Sequence, residues 1–133
     1  GDVSAEMGLE RGELAWRASR IRRTEDNVPY GHLISWTIGI SKGYTKRELE
    51  RRVRLDILKD NGIEIHKIEQ TISAVPAQEF FAQALDMDVG APTLQMVRRI
   101  FDSKGRLVDI LYCHHNPRRF QFRLELDADE YHS

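Results

Sequence analysis

Three observations in the sequence predict an α+β fold made of antiparallel hairpins. Thr93–Phe101 changes character at every second residue, setting Leu94, Met96 and Ile100 against Gln95, Val97 and Arg99, which marks a strand with two different faces. Asp102-Ser103-Lys104-Gly105 is polar turn chemistry with a glycine free to take positive φ, so the chain reverses there into a return strand over Arg106–His115. A second copy of this plan stands at the front of the chain. Ala5–Ile34 passes through a short helix, Gly12, an apolar strand with an arginine-rich end and a polar turn at Thr24–Asn27. Gly12 falls on Gly90 and, after one inserted residue, Arg20-Ile21 falls on Arg99-Ile100. We read this as an internal duplication, with two halves packed about a pseudo-twofold axis and a cleft between them.

The elements then follow in order. Leu14–Arg22 is the first strand, with Trp16, Ala18, Arg20 and Arg22 on one face, and Val28–Ile38 returns, rich in β-formers. Thr45–Asp60 is the one long helix. Thr45 and Glu48 have capping-box spacing, Leu49, Val53 and Ile57 recur four apart, and Asn61-Gly62 supplies the stop. Its charged residues Lys46, Arg47, Glu50, Arg51, Arg52 and Arg54 read as a solvated face. Ile63–Ala74 is a strand whose apolar parity slips, so a bulge is expected near His66-Lys67. Gln78–Leu85 is a short helix burying Phe81, Ala84 and Leu85. Asn116-Pro117 ends the second hairpin, because proline has no N–H to give the ladder. A sixth strand, Phe120–Leu126, alternates Phe120, Phe122, Leu124 and Leu126 with Gln121, Arg123 and Glu125. The second copy has a strand ahead of its helix and the first has none, which leads us to expect further residues upstream in a longer protein.

Composition bounds the function. The 133 residues suffice for one domain, 1–133, with a single core; 41% are hydrophobic and 31% charged, as in ordinary folded proteins. Net charge is −1, and the first 60 residues carry 12 basic and 10 acidic groups against 8 and 11 in the rest. Neither half has the concentrated positive field that phosphate-backbone binding needs, so the chain alone is not expected to bind DNA. One cysteine, Cys113, excludes an internal disulfide and suits a reducing, cytoplasmic setting. The uncharged stretch Val28–Ser41 is too short to span a bilayer, and no signal-peptide pattern is visible.

No strong catalytic motif is present: no GxSxG, HExxH, Walker loop or CxxC pair. His114 and His115 are neighbours on a strand and point to opposite faces, which argues against a zinc site made from them and His66. Cys113 reads as a small apolar filler. We expect no metal or cofactor. The stronger signal is arginine inside strands. Arg20 and Arg22 share a face about 6–7 Å apart along the strand, and two guanidinia side by side call for an anion between them or for a wet face neutralised by Glu25 and Asp26. Both readings stay open on residue chemistry. In the second hairpin a short turn places Arg98 opposite Asp109 as a cross-strand ion pair.

Four segments then resemble the UTRA domain, the effector-binding half of GntR-type bacterial transcription regulators of the HutC subfamily. They are "AEMGLERGELAWRASRIRR", "LERRVRLDILKDNGIEI", "AVPAQEFFAQALDMDVGAPTLQMVRRIF" and "GRLVDILYCHHNPRRFQF", in the family's order. The resemblance implies a chorismate-lyase-like fold, a six-stranded antiparallel sheet with peripheral helices. It also implies a small-molecule site between the repeats, a homodimer, and a winged helix–turn–helix DNA-binding domain upstream. Its phosphate-binding Arg-x-Arg falls on Arg20 and Arg22, an acidic sugar-binding position on Asp109, and an aromatic position on His115. Three departures stand out: Leu33 replaces an acidic residue, Val53 a small polar one, and Arg118-Arg119-Phe120 an Asp-Arg-Tyr ending. They imply an anionic effector that is less hydroxylated and more apolar than a sugar phosphate. An enzyme of chorismate-lyase type and a dimerisation module with a vestigial pocket are the other readings of the same fold.

Overall fold

The computed structural model describes residues 6–9, 13–41 and 45–130. β1 (Trp16–Arg23) and β2 (Pro29–Thr37) form the first hairpin, and β4 (Pro92–Asp102) and β5 (Leu107–His115) the second. β3 (Ile65–Pro76) adds along β4, so the sheet runs β1-β2-β5-β4-β3 with every neighbouring pair antiparallel. The second strands of the two hairpins therefore lie side by side at its centre. The expected bulge in β3 is present, as a register shift between Ile65 and Lys67. Gly12, which the duplication aligns with Gly90, lies outside the described residues.

Among the described residues five strands form rather than six. Phe120–Leu126 has a strand's alternation but no ladder partner among the described residues, and an unpartnered strand has nothing to fix it. Asn116 diverts the chain first: its N–H donates to the Tyr30 carbonyl at 2.8 Å, while its side-chain oxygen accepts from the Arg118 N–H at 3.0 Å. Phe122, Leu124 and Leu126 are left exposed beyond that turn.

The expected long helix is two. α1 (Lys46–Arg51) starts where Thr45 Oγ1 accepts from the Glu48 N–H at 3.2 Å, as its spacing implied. Arg52 is extended, Val53 caps α2 (Arg54–Asp60), and Gly62 ends the unit at φ +80°. A continuous helix would hold Val53 and Ile57 on one stripe. The break instead leaves Val53 63% exposed and sends Ile57 and Leu58 wholly inward, because burial in the tertiary structure outweighs one lost turn of local hydrogen bonds. It also corrects the reading of Arg52 and Arg54 as members of a solvated face. Arg52 bonds Asp60 at 2.6 Å, and Arg54 points inward with a side chain only 12% exposed. The side chains of Lys46, Glu50 and Arg51 lie outside the described residues.

The second hairpin also differs in register. Below the turn Phe101 pairs with Leu107, but a bulge between Ile100 and Phe101 sets Ile100 against Asp109 and Arg98 against Leu111. Arg98 and Asp109 are thus not cross-strand partners. α3 (Glu79–Ala84) packs on the opposite side of the sheet from the arginines, burying Ala82 with the flanking Leu85. There Phe81 stacks on His114, ring centroids 3.8 Å apart, and meets His32 edge-on.

Candidate functional site

Pairing register assigns one sheet face, whose end row is Trp16, Thr37, Asp109, Ile100 and Ile68. Along it lie Arg20, Leu33, Cys113, Met96 and Ile72 in one row; Arg22, Gly31, His115 and Leu94 in the next; and Ala18, Ser35, Leu111, Arg98 and Gln70 on the other side. Leu33, Leu111, Cys113 and Met96 form a buried apolar cluster that floors a cleft of about 600 Å³. A lobe of about 380 Å³ opens beside it toward Trp16 and shares Arg20, Leu33, Leu49, Arg54 and Leu111 with it. The cleft is crossed by both hairpins and roofed on one side by the α1–α2 break.

Five arginines reach it: Arg20, Arg22, Arg52, Arg54 and Arg98. Their partners differ. Arg54 is committed to Asp109, which is fully buried and also accepts from the Thr37 hydroxyl, while Arg52 is held by Asp60. Arg20 donates to the Leu49 carbonyl at 3.1 Å, and Arg98 donates from Nε to Gln70 Oε1 at 2.9 Å. Among the described residues no carboxylate lies within ion-pair distance of Arg20, Arg22 or Arg98. Glu25 and Asp26 do not neutralise the pair on β1. Burial first, and then the charges of Arg22 and Arg54, lower the pKa of Arg20. An anion in the cleft would relieve that repulsion.

Arg20, Arg22 and His115 are thus brought together; Asp109 is not. It lies in the sheet beneath Arg54 and reaches the cleft only through that guanidinium. Burial pushes its carboxyl up, with Arg54 and Thr37 pulling the other way. His115 is 5% exposed and stacks on Phe120, centroids 4.0 Å apart and planes 16° apart. Burial, then Arg22, lowers its pKa, which favours the neutral ring. Gly31 makes room for it: a Cβ there would lie 2.7 Å from His115 Cδ2. The buried Cys113 thiol is pushed up by burial, which keeps it protonated and unreactive.

Sequence reasoning missed Arg54, Arg98 and Gly31 as cleft residues. Only Gly31 left a signal, a glycine in the middle of a strand of β-formers, which marks a close approach.

The sequence profile of the UTRA domain matches residues 1–121. The chain belongs to the UTRA family. This UTRA domain is 32% identical over 65 residues to an HTH-type transcriptional regulator of Mycobacterium tuberculosis, a match covering 49% of the chain and 24% of that regulator. The matched part is thus about a quarter of its relative's length. Among solved structures, a protein from Streptomyces coelicolor described as a transcriptional regulator is similar at a TM-score of 0.80 and 30% identity, over 91% of this chain and 80% of that one. A GntR-family regulator from Enterococcus faecalis gives 0.77 at 24% identity, over 92% and 88%. The ligand-binding domain of a GntR-family regulator from Bordetella bronchiseptica gives 0.77 at 18%, over 95% and 83%. The last two likenesses speak for the fold. Among the described residues no helix is long and apolar enough to cross a membrane.

Proposed function

We propose that this UTRA domain is the effector-binding part of a GntR-type, HutC-subfamily transcription regulator. It takes a small anionic metabolite in the arginine cleft and passes the binding event to a winged helix–turn–helix domain elsewhere in a longer, cytoplasmic protein. The observation that carries the reading is an apolar-floored cleft lined by the half-buried Arg20 and the more exposed Arg22, neither with a carboxylate partner among the described residues. A half-buried guanidinium such as Arg20 beside a second one is stabilised when an anion shares the two.

Arg20 and Arg22 hold the anion's oxygens, and His115 borders its remainder under Phe120. Asp109 acts by fixing Arg54 in place. The regulatory role, rather than a catalytic one, is supported by the regulators from Mycobacterium and Streptomyces, and the hairpins' mirrored places about β2 and β5 support duplication on a chorismate-lyase-like plan. A homodimer is supported by β1 and β3, which border no further strand among the described residues. Light scattering at tens of micromolar should give twice the chain mass.

The test is a thermal-shift panel of phosphorylated sugars, carboxylates and aromatic acids on the wild type and on Arg20→Ala/Arg22→Ala. A ligand at a hundredfold excess over its Kd stabilises the native state by about 2.7 kcal/mol. The expected result is an anionic hit that shifts the wild type and not the double variant. Equal shifts in both would place the anion elsewhere.

A further inference from the structure

Resting on that reading of the cleft, we infer that the effector carries two anionic groups, one at each end of an apolar body, with Arg98 as the second anchor. Arg20 and Arg22 stand on β1 and Arg98 on β4, on the same face of the sheet and on opposite walls of the same cleft. Three strand spacings separate them, about 14 Å between backbones. The floor between is mainly apolar, with Leu33 on β2, Leu111 and Cys113 on β5, and Met96 beside Arg98 on β4; Ser35 on β2 and the overlying Arg54 are its polar members.

The two walls are equivalent in chemistry. Arg98 spends its Nε on the neutral Gln70 and has no carboxylate partner among the described residues, so its terminal nitrogens keep their donors for a ligand. The intervening arginine, Arg54, is already neutralised by Asp109 and offers little net charge to a third anion. A ligand with one charged end would fill one wall and leave Arg98 facing a desolvated apolar floor. A sugar would set hydroxyls against Leu33, Leu111 and Met96, which cannot hydrogen-bond them. The aromatic stack of His115 and Phe120 closes the Arg22 end of the floor and suits a flat or aliphatic body. The ligand class is therefore a dicarboxylate, or a phosphate joined to a carboxylate, spaced by an aliphatic or aromatic segment.

Calorimetry with straight-chain α,ω-dicarboxylates of four to ten carbons, each beside the monocarboxylate of equal length, tests this on the wild type, on Arg98→Gln and on Arg20→Ala/Arg22→Ala. A second charge-assisted anchor is worth roughly tenfold or more in affinity. The expected pattern is a dicarboxylate preference of at least tenfold that peaks at one length and vanishes in Arg98→Gln, whose dicarboxylate affinity falls far more than its monocarboxylate affinity. Equal affinity for mono- and dicarboxylates in the wild type, or a preference that survives Arg98→Gln, overturns the second anchor while leaving the β1 site intact. Undiminished binding by Arg20→Ala/Arg22→Ala overturns the reading of the cleft itself. Arg98→Lys, which keeps one charge without the fork, should retain part of the preference; a fold defect would lower both affinities together.

Discussion

Removing Asp109 should cost more stability than removing Asp109 and Arg54 together. The carboxylate is fully buried and the guanidinium side chain only 12% exposed, so Asp109→Leu strands a positive charge close to Arg20 and Arg98. Stranding one member of such a pair costs about 3–5 kcal/mol. For a chain of this size 1 kcal/mol moves Tm by about 3 °C, so a fall of roughly 10 °C is expected. Arg54→Met strands the carboxyl instead, but that group can neutralise itself by taking a proton. Its folded pKa is already raised by burial, and losing Arg54 raises it further. A raised carboxyl pKa means that the native state holds its proton more tightly than the unfolded chain. The penalty of Arg54→Met is then smallest below the unfolded carboxyl pKa, grows as pH rises toward the folded pKa and levels off above it. The double variant, with an apolar pair of similar volume, should recover about 2 kcal/mol or more relative to the sum of the singles. Urea denaturation of all four proteins at pH 5 and pH 8 measures this cycle. Additive losses with no dependence on pH would refute the ion pair as the element that holds α2 on the sheet.

Two further outcomes follow from close contacts. Gly31→Ala should destabilise by about 1–3 kcal/mol, since the new methyl meets a His115 ring already stacked on Phe120; adding His115→Ala should restore much of the loss in a thermal melt, and failure to do so would mean that the ring is not the obstacle. His114 has a pKa lowered from 6.5 to about 4 by burial, then by His32 and His115, with Phe81 stacked above it and Gln95 Nε2 at 3.3 Å from Nε2. A depressed folded pKa gives stability that is whole above pH 6.5 and drains as pH falls toward 4, a loss of about 3 kcal/mol; His114→Phe should flatten that stretch of the pH–stability curve, and an unchanged slope would assign the acid sensitivity to other groups.

Much of the sheet was legible because its causes are local. Period-two alternation, the Asp102–Gly105 turn, the cap at Thr45, the stop at Gly62 and the slip near His66 each act over a few residues, and each stands where the sequence placed it. The misses are non-local. Arg54 reaches Asp109 across 55 positions, and that contact, with the burial of Ile57 and Leu58, accompanies the break in an otherwise well-patterned helix. The turn register and the bulge at Ile100 each add one residue, so Arg98 stands opposite Leu111, two residues beyond Asp109; both residues were seen but mated wrongly. Phe120–Leu126 has a strand's pattern, yet alternation describes a face and cannot supply a neighbour. At the site, Arg20 and Arg22 were visible as like charges on one face, whereas Arg98 joins them only after three strand pairings are known.

The central claim is that an anion sits between Arg20 and Arg22 in the cleft. Arginine Nε–Hε resonances, assigned by single Arg→Lys substitutions and followed by NMR during titration with inorganic phosphate and then with the best thermal-shift hit, report on it directly. The expected result is that Arg20 and Arg22 shift together and saturate at one Kd, while Arg99, on the opposite sheet face and paired to Glu6, stays still. Saturable shifts at Arg99 with none at Arg20 and Arg22 would contradict it.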